Sequence, residues 1–183
     1  MILKVDKLCK SYEKGFFLFK KKKDILKNIS FEVNTGEIFS IIGQSGAGKS
    51  TIGKIILGIE KKDSGTIEFL DKPLEQRNIR DIQMIFQDPY SSLNPAMKIK
   101  DILAEPLKAN GEKNKLVLEE KVGNMLEEVG LHKACGDKYP DELSGGQRQR
   151  VVIGAAMILD PKLVVCDEPV ASLDLSIQRQ ILK

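Results

Sequence analysis

Histidine is nearly missing from this chain, occurring once at His132, and cysteine is sparse, with Cys9, Cys135 and Cys166 far apart. No Cys-x-x-Cys or His/Cys pairing is present, so neither a zinc site nor a disulfide framework is indicated, and reduced structural thiols are expected. No run approaches the roughly 18 consecutive apolar residues of a membrane span, so any membrane role must be peripheral. The opening Met1-Ile2-Leu3-Lys4-Val5-Asp6-Lys7 places charges where a signal peptide needs its apolar core, which predicts a cytosolic chain. An excess of one charge is missing too. Lys+Arg 29 against Asp+Glu 26 leaves a formal +3, too little to demand nucleic acid or another polyanion. The local run Lys20-Lys21-Lys22-Lys23 reads as a solvated loop.

What is present fits a single soluble domain: 183 residues, 42% apolar and 30% charged, enough chain for a sizeable core. Apolar and turn signals alternate as in an α/β protein with a mostly parallel sheet. Ile38 to Ile42 reads as a buried strand, Gly43 to Gly48 as a loop, and Lys49 to Gly58 as a helix with Ile52, Ile55, Ile56 and Ile59 near one face. Ile82 to Phe86 and Leu163 to Cys166 read as further strands. Between them the character becomes helical. Leu118, Val122, Met125, Leu126 and Val129 recur at helical spacing from about Lys115, and Gly130 supplies a stop. Asp88-Pro89-Tyr90-Ser91-Ser92-Leu93-Asn94-Pro95, rich in turn formers, should be the ordered loop entering this insert.

Gly43-Gln44-Ser45-Gly46-Ala47-Gly48-Lys49-Ser50 matches the P-loop pattern G-x-x-x-x-G-K-[ST] between a predicted strand and helix. Glycines let consecutive N–H groups turn inward toward phosphate oxygens, and the following helix adds the positive end of its dipole. Lys49 is expected at the β- and γ-phosphates, Ser50 on Mg²⁺, and Thr51 on a further phosphate oxygen. Leu163-Val164-Val165-Cys166-Asp167-Glu168 is an apolar strand ending in two acids, the Walker B pattern. Asp167 would hold Mg²⁺ and Glu168 would orient or deprotonate the attacking water. Cys166 is expected to fill a small apolar gap beneath them.

Leu143-Ser144-Gly145-Gly146-Gln147, followed by Arg148-Gln149-Arg150, offers a hydroxyl and backbone N–H groups at the start of another predicted helix, a second anion site. It resembles the signature of ATP-binding cassette (ABC) proteins. The resemblance implies a P-loop NTPase with a RecA-like core over residues 1–87 and 158–183, and an inserted α-helical signature subdomain over 88–157. It also implies a head-to-tail dimer, in which each ATP lies between one P-loop and the Ser144, Gly145, Gly146 and Gln147 turn of the other subunit. Gln87 matches the Q-loop glutamine, placed to sense Mg²⁺ and the attacking water. Ala171-Ser172-Leu173-Asp174 resembles the D-loop. Tyr12 stands where the family has an adenine-stacking aromatic, with Phe16 and Phe17 as rivals.

More narrowly, the stretches Phe86 to Pro95, Tyr139 to Arg150 and Cys166 to Val170 resemble the oligopeptide/dipeptide/nickel branch of bacterial importers. That branch implies ATP and Mg²⁺ as cofactors, a second ATP-binding subunit, two membrane permeases, an extracytoplasmic solute-binding protein acting indirectly, and a peripheral position at the cytoplasmic face of the membrane. The chain departs from it at Ala155, where an arginine is common, and at Asp141, where a histidine is. It also stops at Lys183, before the family's switch histidine, a role His132 cannot fill, so a C-terminally truncated cassette is expected. Two other readings stay open: a catalytically impaired ATP-binding remnant, and, less well matched, a non-transport ABC ATPase acting on nucleic acid or ribosomes.

Overall fold

The computed structural model describes residues 1–14, 21–86 and 92–167, which fall into two compact units, Met1–Asn78 and Ile79–Lys183. In the first unit a four-stranded sheet runs in the order β2-β1-β3-β4, from β1 (Leu3–Lys14), β2 (Lys21–Val33), β3 (Ser64–Phe69) and β4 (Lys72–Pro73). Every pairing in it is antiparallel. Lys21, Lys22 and Lys23 are therefore strand residues, paired with Lys14, Glu13 and Tyr12, and not part of a loop. The opposite strand supplies backbone partners that a reading from charge alone cannot anticipate.

Leu3 and Val5 point into the core, but Leu8 does so as well, because the register slips between Val5 and Leu8 where Lys7 adopts a left-handed φ of 49°. Such an extra residue reverses the alternation of faces. From there Leu8, Lys10 and Tyr12 share one face by ordinary strand alternation. Gly65 accommodates the same irregularity from β3. Its φ is +92°, and a Cβ there would sit 2.5 Å from the Lys7 carbonyl oxygen.

Helix α1 (Lys49–Ile56) buries Ile52, Ile55 and Ile56, whereas Ile59 lies beyond its end and is exposed. The expected buried strand at Ile38 to Ile42 is not formed: Ile38 and Ile42 are 96% and 95% exposed. An apolar run becomes a strand only where neighbours pair with it, and among the described residues none does. Phe39 alone finds an aromatic partner, stacking on Phe31 at a centroid distance of 5.0 Å.

The second unit holds the parallel pair β5 (Ile82–Ile85) and β6 (Leu163–Cys166), in register Ile82↔Leu163 through Ile85↔Cys166. Parallel pairing among the described residues is confined to these two strands. Between them run α2 (Ile99–Ala109), α3 (Lys115–Glu128) and α4 (Gly145–Met157). Leu118, Val122, Met125 and Leu126 are buried in one cluster with Leu103, Leu107 and Val151, and Val129 packs against it. Asn114 caps α3 by accepting from the Leu116 N–H at 3.0 Å, and Gly130, at φ +72°, follows its end. His132 has a local task, its Nδ1 accepting from the Ala134 N–H at 3.2 Å. The three cysteines are unpaired thiols. Of the loop expected at Asp88 to Pro95, residues 88–91 lie outside the described residues, and Leu93 is buried in the core of the second unit.

Gln149 in α4 is fully buried, yet neither amide atom has a hydrogen-bond partner among the described residues. A buried unsatisfied polar group costs about 1–3 kcal/mol, a cost that a similarly long apolar chain avoids. Gln149→Met should therefore raise the urea midpoint by the equivalent of about 1 kcal/mol in equilibrium unfolding. A lowered midpoint would show that the amide is partnered.

Candidate functional site

Gly43 to Ser50 joins an exposed stretch to the first turn of α1. Gly46 and Gly48 take φ values of +77° and +95°, which L side chains rarely adopt, and they curl the backbone over Gln44, Ser45 and Ala47. Gly48 is irreplaceable on space as well: a Cβ would come within 2.7 Å of Leu26 Cδ2 and 2.8 Å of Ile25 Cγ2. Across the loop, Lys49 Nζ donates to the Gly43 carbonyl at 2.8 Å and to the Gln44 carbonyl at 3.1 Å. The ammonium is thus held at the mouth of the turn. Gly48 is the N-cap of α1 and no side chain caps that end. The first N–H groups of a helix have no intrahelical acceptor, so this end of α1 carries partial positive charge beside the full charge of Lys49. Ser50 and Thr51 are half-buried at this start.

The signature turn is built differently. Ser144 caps α4 through a capping box: its Oγ accepts from the Gln147 N–H at 3.3 Å, while Gln147 Oε1 accepts from the Ser144 N–H at 3.0 Å. Arg148 braces the approach by donating to the Leu143 carbonyl at 3.1 Å and the Asp141 carbonyl at 3.3 Å. Arg150 reaches back to the Val129 carbonyl at 2.6 Å, tying α4 to the end of α3. Gly145 and Gly146 follow the cap, Gly146 buried. The capping box is made by Ser144 and Gln147, neither of them a family departure, while Asp141 lends its backbone carbonyl to Arg148.

Asp167 continues the β6 ladder, its N–H donating to the Ile85 carbonyl at 3.0 Å. Cys166 is exposed at the strand end and does not fill an apolar gap, because β6 buries no residue fully and only β5 pairs with it among the described residues. Glu168, Gln87, Phe16, Phe17 and the Ala171 to Asp174 stretch lie outside the described residues. The P-loop and Tyr12 belong to the first unit, and the signature turn and Asp167 to the second. Taken separately, the Ser50 hydroxyl of the first unit and the Asp167 carboxylate of the second are oxygen groups of the kind Mg²⁺ accepts as ligands. No cluster of three His, Cys, Asp or Glu side chains that could bind a metal on protein ligands alone occurs among the described residues.

Tyr12 is 37% exposed on β1, with the Lys10 ammonium 5.1 Å from its ring centroid. Lys10 pairs with Glu60 at 2.8 Å. That hydrogen bond holds the lysine above its ordinary range and, reciprocally, holds the Glu60 carboxyl below its own. Asp63 is held low chiefly by the Ser11 hydroxyl, which donates to it at 2.6 Å. Lys10, Glu60 and Asp63 were not legible as site residues, since no motif contains them. The available signal was only that Lys10 precedes Tyr12 by one strand repeat.

Known proteins resemble this chain in sequence and in fold. The Metal-staphylopine import system ATP-binding protein CntF of Staphylococcus aureus (strain NCTC 8325 / PS 47) is 43% identical over 183 residues, covering 99% of this chain and 74% of CntF. The Di/tripeptide transport ATP-binding protein DppF of Pseudomonas aeruginosa (strain UCBPP-PA14) is 40% identical, and the match covers 99% of this chain and 59% of DppF. The dimeric post-hydrolysis state of the ATP-binding cassette MJ0796 bound to ADP and Pi is similar with a TM-score of 0.85 at 27% identity, over 99% of this chain and 80% of that one. The family described as ABC transporter matches residues 26–171.

Proposed function

The chain belongs to the ABC transporter family of ATPases, and we propose that it is the ATP-binding subunit of an importer for peptides or for nickel and related metal complexes. The observation that carries this reading is the Lys49 ammonium fixed across the Gly43–Gly48 turn at the uncapped start of α1. A full positive charge beside the start of a helix that no side chain caps suits a polyphosphate. The cargo class follows from relatives named for metal–staphylopine and di/tripeptide import.

In this proposal residues 1–87 and 158–183 form the nucleotide-binding core and 88–157 the helical subdomain. Gly43, Gln44, Ser45, Gly46, Ala47, Gly48, Lys49, Ser50 and Thr51 cradle the phosphates, and Tyr12 stacks on adenine. Ser144, Gly145, Gly146 and Gln147 close on the γ-phosphate of an ATP held by a second ATP-binding subunit, of the same or a related sequence. The dimeric MJ0796 cassette with ADP and Pi supports such a pairing. Ser50, Asp167 and Gln87 would hold Mg²⁺, which when bound neutralises charge on the phosphate oxygens. Glu168 accepts the proton of the attacking water, and Gln87 helps orient that water. The subunit would sit at the cytoplasmic face of the membrane against two permease subunits, with a solute-binding protein outside. No helix among the described residues is long and apolar enough to cross a membrane.

Lys49→Ala should weaken Mg-ATP binding by about 100-fold, the equivalent of losing charge-assisted hydrogen bonds of about 3 kcal/mol, with an unchanged circular dichroism spectrum. Calorimetric titration measures this, and an unaltered affinity would remove the P-loop assignment.

Glu168→Gln should keep ATP binding but slow phosphate release by about 10²-fold to 10⁴-fold, because an amide is a far poorer base than a carboxylate. In sedimentation with Mg-ATP and the partner subunits, the variant should accumulate as a nucleotide-bound dimer. Parental turnover would take Glu168 out of this role.

A further inference from the structure

We infer that Lys10 is the positioning residue that sets the Tyr12 ring as a stacking surface for a purine base, an inference that rests on the ATP-binding reading above. Lys10 is an unusual residue for a strand interior: its side chain is only 10% exposed although it carries a full charge. Buried charges persist where they are paired, and this one is paired fully. Its Nζ lies 2.8 Å from Glu60 Oε1, 2.6 Å from the Lys61 carbonyl and 3.7 Å from Asp63 Oδ1. Two of the three N–H donors of the ammonium are spent on the Glu60 carboxylate and the Lys61 carbonyl, and the Asp63 carboxylate adds charge pairing at 3.7 Å. Lys10 is therefore committed to the protein and is not itself a phosphate ligand.

Its remaining neighbour is the Tyr12 ring, with the cation 5.1 Å from the centroid, inside the range where an aromatic face attracts a cation. Occupying one face leaves the opposite face and the ring edge as the surfaces on which a flat ligand can lie. The backbone beneath is fastened as well. Asp63 accepts from the Ser11 N–H at 2.9 Å and the Ser11 hydroxyl at 2.6 Å, while its own N–H donates to the Cys9 carbonyl at 3.0 Å. The segment Cys9 to Tyr12 is thus fixed to the Glu60 to Asp63 turn on both sides of Lys10.

A ring held this way loses little rotamer freedom when a base stacks on it, which is how preorganisation strengthens binding. Removing Lys10 should release the ring while the phosphate turn, formed by other residues, keeps its shape. The consequence is selective: affinity for a ligand with a base falls, and affinity for bare polyphosphate does not. Base–aromatic stacking in nucleic-acid sites is large enough to make a loss of about 10-fold readable.

The experiment titrates Mg-ATP and inorganic tripolyphosphate into the whole chain by calorimetry, for the parent, Lys10→Met, Lys10→Arg, Glu60→Gln and Tyr12→Ala. Lys10→Met and Tyr12→Ala should each weaken ATP by about 10-fold and change tripolyphosphate by less than twofold. Their combination should lose no more than either alone, since both remove the same surface. Lys10→Arg should hold ATP to within about threefold, because a guanidinium can also pair with Glu60 and cover a ring. If Lys10→Met does not fold, as judged by circular dichroism, Glu60→Gln carries the test, with a selective loss of about threefold for ATP. Equal losses for both ligands would make Lys10 a purely structural residue and overturn the inference. A Tyr12→Ala effect without a Lys10→Met effect would overturn it alone, leaving the ATP-binding reading in place. A parental chain that takes neither ligand would overturn that reading and the inference with it.

Discussion

Everything proposed for this chain depends on one short-range arrangement, the Lys49 ammonium drawn across the Gly43 and Gln44 carbonyls. It exists because Gly46 and Gly48 accept backbone angles that would strain other residues, and because Gly48 has no side chain to collide with Ile25 and Leu26 on β2. The turn is consequently fixed by the sheet beneath it and the helix after it, which bury Leu26, Ile52, Ile55 and Ile56. A cation held in place before its ligand arrives needs little reorganisation to meet a polyphosphate.

The two helix starts proposed to face ATP solve the problem of orphan N–H groups in opposite ways. At α1 no side chain caps the end, and the Lys49 ammonium stands beside it. At α4 Ser144 and Gln147 satisfy one another, and Arg148 and Arg150 fasten the flanks to Leu143, Asp141 and Val129. The first is an open cradle and the second a stiffened turn, whose exposed Ser144 can present a hydroxyl without disturbing the helix behind it. Such a division suits a site in which one surface wraps the phosphates and the other closes on them.

Local rules made much of this legible. The spacing of glycines and lysine located the turn that enters α1, helical periodicity located α3 and its Gly130 stop, and the short apolar runs located β5 and β6. Ser144 was placed at a helix start as part of an anion site, and that its hydroxyl caps the helix through the Gln147 N–H is seen only in the fold. What was not legible required partners distant in sequence. The irregularity near Lys7 breaks the alternation of β1, so the antiparallel sheet and the strand character of Lys21 to Lys23 left no clean period-two signal. Ile38 to Ile42 has the composition of a buried strand, but composition cannot supply a neighbouring strand. Lys10 reads as an ordinary solvated lysine until the turn at Glu60 to Asp63 folds over it.

The central claim is that Gly43 to Ser50 is the polyphosphate cradle, and backbone-amide chemical shifts test it without altering a residue. On adding Mg-ATP to the ¹⁵N-labelled chain, the largest amide shifts should fall at Gly46, Gly48, Lys49 and Ser50, and inorganic tripolyphosphate should reproduce them. Shifts that concentrate elsewhere while these amides stay in place would contradict the account.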